Sequence, residues 1–205
     1  EMGEDLYDYG GYFIVNGNEK VVIMQEKKAD NIAFIFKLGK GANKFSHKCE
    51  VDSIDESNPF QIKKTEVKLM SKDGNIGRTI KVKIQQLRQE IPLFVVFRAL
   101  GITSDKEICD MILYNLSGEE ENTLLEYLRP SIEEAGPIQN MQVALEYISK
   151  YVMVSAHQKT FQNNKRKLWY TQDILREEFL PHVGKELRKK AYYLGYMVNK
   201  MLKVV

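Results

Sequence analysis

The chain has 205 residues, of which 43% are hydrophobic and 28% charged. Those proportions describe a globular protein long enough to bury a core, and they exclude a disordered tail and a disulfide-stapled miniprotein. A formal net charge of +2 is unremarkable, and no apolar run reaches the length of a membrane span, since the longest, from Ile91 to Phe97, is interrupted by Arg98. Two far-separated cysteines, Cys49 and Cys109, lack any Cys-x-x-Cys partner and read as reduced thiols of an intracellular protein. No secretory leader is recognisable, and a first residue Glu1 in place of Met leads us to expect a piece cut from a longer polypeptide.

In chain order, the first predicted element is a hairpin. Apolar Tyr12-Phe13-Ile14-Val15 turns at Asn16-Gly17 and leaves through Lys20 to Met24. Asn-Gly suits a type I′ turn because both central residues need positive φ. Asn31 to Lys37 (NIAFIFK) reads as a short strand, and Gly39 and Gly41 mark a boundary between structural units. Lys44 to Ile54 reads as extended. The plainest strand pair is Gln61 to Lys72 with Arg78 to Leu87, where Val67, Leu69, Ile80, Val82 and Ile84 alternate with lysines. A period of two predicts one buried face and one wet face.

At Ile91 the pattern changes. Pro92 to Leu100 reads as a short buried helix stopped by Gly101, although Val95-Val96-Phe97 would also suit a buried strand. Ser104 and Glu107 form a capping box that starts a second helix, running to about Leu113. A third helix spans Glu119 to Arg129 and ends before Pro130. A fourth runs from Met141 to Val152. Ser155 to Lys167 (SAHQKTFQNNKRK) has no periodicity and reads as an exposed loop. Leu168 to Leu180 and Lys185 to Lys203 are the last helices, the latter with Leu187, Ala191, Leu194, Val198, Met201 and Leu202 on one face. The fold class is therefore α+β, with N-terminal antiparallel strands and hairpins followed by a helical half.

Nothing in the sequence converges as a catalytic site should. His47, His157 and His182 are scattered without metal-ligand spacing, Gly39-Lys40-Gly41 lacks the ending of a phosphate-binding loop, and no serine or threonine sits in a nucleophile elbow. We expect no cofactor in this chain and no activity from it alone. Charge, by contrast, is uneven: Ser104 to Glu134 is acidic, and the part from Lys150 onward is basic, with clusters at Lys165-Arg166-Lys167 and Arg188-Lys189-Lys190. Either two solvated faces or an orientation towards an anionic partner would account for this. Lys159, Lys165, Arg166 and Lys167 are the candidate nucleic-acid contacts, through sequence-independent attraction to phosphate. Phe161 and Trp169 lie beside them and could stack on bases, although Trp169 is expected to anchor the loop to the core.

Four ordered blocks carry a family resemblance. They are Gly10 to Lys20 (GGYFIVNGNEK) with Gln25-Glu26 behind it, Glu90 to Ile108 (EIPLFVVFRALGITSDKEI), Asp173 to Val183 (DILREEFLPHV), and Lys189 to Leu202 (KKAYYLGYMVNKML). Together they resemble the second-largest subunit of multisubunit DNA-dependent RNA polymerases, and Leu194-Gly195-Tyr196-Met197 is worded most like the RNA polymerase II form. The resemblance implies that residues 38–184 are the lobe domain of that subunit. Residues 1–37 and the helix of 185–205 would then belong to the neighbouring protrusion. It implies a wall of the cleft that guides DNA, surfaces for other polymerase subunits and general transcription factors, and a nuclear location, or a cytoplasmic viral factory for a viral source. Nucleotidyl transfer with magnesium would use residues outside this chain. The rival reading is a free-standing α+β protein-interaction module without a nucleic-acid role. A polymerase piece predicts that the hairpin Tyr12 to Met24 and the helix Lys185 to Lys203 pack together with apolar surface exposed. A free module would bury both in its own core.

Overall fold

A computed structural model of the protein describes residues 5–39, 44–71, 76–114, 118–153 and 164–205. Antiparallel strands come first and helices follow, so the α+β class holds. Strands β1 (Phe13–Val15) and β2 (Asn18–Lys20) form a separate hairpin, with Val15 opposite Asn18. Asn16 and Gly17 both take positive φ, as the two-residue turn demands. Strands β3 (Phe34–Lys37), β4 (Phe45–Asp55), β5 (Asn58–Met70), β6 (Ile80–Ile84) and β7 (Ile91–Pro92) make one antiparallel sheet in that order. In the β5–β6 pair, Val67 faces Val82 and Leu69 faces Ile80. Their side chains are buried, while Lys68 and Lys81 share the opposite face, so the period-two reading is correct.

Helix α1 (Leu93–Ala99) is buried along its whole length and touches the sheet through β6 and β7 and the helices α2 (Asp105–Ile112), α3 (Glu119–Ala135) and α4 (Met141–Ser149). Its β-prone centre stays helical because both ends are fixed. Pro92, extended at ψ 138°, ends β7 immediately before the helix, and Gly101 (φ 98°) closes a Schellman end, with the Gly101 N–H donating to the Arg98 carbonyl and the Ile102 N–H to that of Phe97. Half of the predicted box at α2 forms: the Ser104 hydroxyl accepts from the Glu107 N–H, while the Glu107 carboxylate pairs with Arg188 instead. Helix α6 (Leu187–Leu202) packs its apolar face on α2 and β4.

The structure corrects several expectations. Helix α3 does not stop before Pro130 but runs on to Ala135. The Pro130 ring lies against Gly77, and the buried Ser131 hydroxyl accepts from the Ile80 N–H at 2.9 Å, so tertiary contacts hold the helix through its proline. Helix α4 ends at Ser149, and Val152 instead bridges Leu87 in extended conformation. The hairpin is exposed throughout and does not pack on α6, which joins the main core instead. Apart from these corrections, strand β3, just before Leu38, pairs with β4, Tyr193 Oη donates to the Asn31 carbonyl at 3.2 Å, and Lys200 Nζ donates to that of Ala33 at 2.8 Å.

Candidate nucleic-acid interface

Of the four cations singled out from sequence, Lys159 lies outside the described residues. The other three are not in a loop: Lys165, Arg166 and Lys167 belong to the first described turns of helix α5 (Asn164–Asp173). Thr171 is buried on the inner side of this helix and its hydroxyl donates to the Lys167 carbonyl at 2.7 Å. Lys167 and Leu168 turn towards Glu146, Ser149 and Lys150 of α4 and are half-buried. Lys165 and Arg166 remain exposed and pair with no carboxylate among the described residues.

Trp169 overturns its expected role as an anchor. It is 67% exposed, a large area for an indole that packing would normally cover. At about 100° per residue, Lys165, Trp169 and Gln172 fall within roughly 60° of one another, a stripe of cation, aromatic ring and amide that Arg176 follows in the next turn. All four are exposed. The spacing could have been read from sequence had Asn164 to Lys167 been assigned to the helix. The polar run before it concealed that.

Past Asp173 the helix widens into one π turn, Ile174–Glu178, and the chain then reverses through Leu180 (φ 46°) into a 3-10 turn, Pro181–Val183. The turn is fastened by Lys190 of α6, which the sequence placed in a basic cluster. Its ammonium is fully buried and donates to the carbonyls of Leu175 (3.1 Å), Arg176 (2.6 Å) and Phe179 (2.5 Å). Burial pushes its pKa down to about 8. Its neighbours are also committed, Arg188 to Glu107 at 2.8 Å and Lys189 to Glu186 at 2.9 Å. Of the second basic cluster, Lys190 is therefore structural, while Arg188 and Lys189 form exposed surface pairs. His182 likewise serves as a tie: its Nδ1 lies 2.6 Å from the buried Ser53 hydroxyl, and its ring stands edge-on to Tyr193. Burial, and then the Lys190 charge, lower its pKa.

The outer face of the sheet is a lattice of opposite charges. Glu50, only 4% exposed, receives Lys28, Lys48 and Lys64 at 2.6, 2.8 and 3.0 Å. Burial alone would raise its pKa, but the three lysine hydrogen bonds outweigh that and hold the carboxyl down to about 2. Glu66 beside it takes Lys68 at 2.9 Å. Among the described residues no three His, Cys, Asp or Glu side chains come together as metal ligands, and no helix is long and apolar enough to cross a membrane.

What this part of the fold brings to its surface is cationic and aromatic area along one helix. The chain belongs to a family described as RNA polymerase Rpb2, domain 2, whose family model matches residues 20–205. It is 40% identical to DNA-directed RNA polymerase II subunit 2 of Arabidopsis thaliana over 98% of this chain, and 40% identical to subunit RPB2 of Encephalitozoon cuniculi over 100%. The archaeal subunit Rpo2 of Saccharolobus solfataricus is 33% identical, also over 100% of the chain. The resemblance carried by the four sequence blocks is thus confirmed. The chain spans 16–17% of the length of these relatives.

Proposed function

We propose that this chain is a wall element of a DNA-directed RNA polymerase, contributing to template-directed RNA synthesis by guiding DNA and docking other subunits and transcription factors. In this reading, residues 38–184 are the lobe, and residues 1–37 and 185–205 are segments of the protrusion. Catalysis and its magnesium belong to other parts of the enzyme, which works in the nucleus. The observation that carries the DNA contact is the exposed row Lys165, Trp169, Gln172 and Arg176, with Arg166 beside it. Two kinds of attraction meet there, phosphate to unpaired cation and base to indole, and neither selects a sequence.

The test is a titration of the chain with single- and double-stranded oligonucleotides at several salt concentrations. We expect dissociation constants of about micromolar or weaker that rise steeply with salt, and a salt slope reduced by roughly 1–2 in the Lys165→Ala/Arg166→Ala variant. Tight binding that ignores salt, or that prefers one sequence, would refute the reading.

A further inference from the structure

Strand β5 is longer than its partner on one side. It runs from Asn58 to Met70, but β6 pairs with it only from Thr65 to Leu69. On the other side its register with β4 is irregular between Ser53 and Asp55. The stretch before Thr65 therefore has an open edge. The Lys64 N–H on this edge donates at 3.3 Å to the side-chain amide of Gln85, a substitute for a missing neighbour strand. Between the Ser53–Lys63 and Asp55–Asn58 pairs, residues 59–62 of β5 face the single Ile54 of β4, so they lie outside the regular ladder on that side as well.

The side chains along this run are the reverse of a protected edge. Phe60 is 93% exposed and Ile62 49%, and Lys64 and Glu66 follow them along the strand. That row leads into a cleft of about 470 Å³ whose lining includes Lys83, Gln85, Leu87, Arg88 and Met153. Lys83 and Arg88 have no carboxylate partner among the described residues, whereas the neighbouring Lys64 and Lys68 are ion-paired. Leu87 and Met153 give the cleft an apolar part.

From this juxtaposition we infer that the β5 edge from Phe60 to Lys64 receives an extended segment of a protein partner, added as a strand, with apolar residues over Phe60 and Ile62 and acidic residues on Lys83 and Arg88. The occupant is a peptide because an open backbone edge recognises backbone, and it is acidic because the two available charges are positive. The inference rests on reading the chain as a unit that docks partner proteins, and it uses a surface separate from the α5 stripe.

The probe is a capped heptapeptide alternating glutamate and valine, titrated into the 205-residue chain while amide shifts and hydrogen exchange are followed by NMR. Its counterpart with lysine for glutamate and an oligothymidylate are titrated in parallel. We expect shifts at residues 60–64 and 83–88 and slowed exchange of the Ile62 amide with the acidic peptide only. Ile62→Pro should abolish the effect, and Lys83→Glu/Arg88→Glu should weaken it at least about tenfold. No binding at millimolar peptide would overturn the proposal. So would equal binding of the lysine peptide, shifts at this edge with oligothymidylate, or retention of binding in both variants. Oligothymidylate shifts at Lys165 to Arg176 report on the DNA contact alone, so the two readings fail separately.

Discussion

Gly195 lies against the backbone of Met111: a Cβ built on the glycine would stand 2.8 Å from the Met111 carbonyl oxygen. One turn further along α6, the buried Asn199 amide donates to the Ile112 carbonyl at 2.7 Å. The two helices are thus fixed at backbone contact. Gly195→Ala must separate them, and we expect a loss of about 1–3 kcal/mol. In urea denaturation this appears as a lower midpoint with an unchanged slope.

Lys190 satisfies three carbonyls that the π turn and its reversal leave without intrahelical donors. Lys190→Met preserves much of the volume and removes every donor. Thermal or chemical denaturation should register a loss of about 2–4 kcal/mol. A variant as stable as the parent would mean those carbonyls find other partners.

Glu50 makes stability depend on acid. Its folded-state pKa of about 2 lies below the ordinary 4.5, so the proton is bound more weakly in the folded chain. The contribution is therefore complete above pH 4.5 and is lost as pH falls towards 2. At pH 7 the Glu50→Gln variant should be less stable by roughly 2–3 kcal/mol. The gap between parent and variant should close as the solution is acidified. A gap that stayed constant down to pH 2.5 would refute this account.

Trp169 is the single tryptophan of the chain, so its fluorescence reports on the α5 stripe without labelling. Trp169→Ala should change stability by no more than about 0.5 kcal/mol, because the ring buries little. In the parent, oligothymidylate should quench the emission, and added salt should restore it. Quenching that survives high salt would point to a contact other than the proposed one.

Much of the fold is legible wherever local pattern and tertiary packing agree. Val67, Leu69, Ile80, Val82 and Ile84 announce a half-buried sheet by their period, and Ser104 with Glu107 announces the start of α2. The misses lie where a distant contact decides. Pro130 ends a helix by every local rule, yet Gly77 makes room for its ring and Ser131 serves Ile80, more than fifty positions away in sequence. Lys190 reads as surface charge because no local signal marks the three carbonyls that enclose it. For the candidate site, Lys165 and Arg166 were legible as candidate phosphate contacts, although in a loop and not on α5. Trp169 was misread because the usual fate of an indole is burial.

The bonds from Tyr193 to Asn31 and from Lys200 to Ala33 bring distant stretches of the polypeptide side by side. Everything between them is looped out from one stem, like a bag drawn shut at its neck. Because β3 follows Ala33 directly as an edge strand of the sheet, and α6 packs on α2 and β4, a pull on that neck is a pull on the core itself.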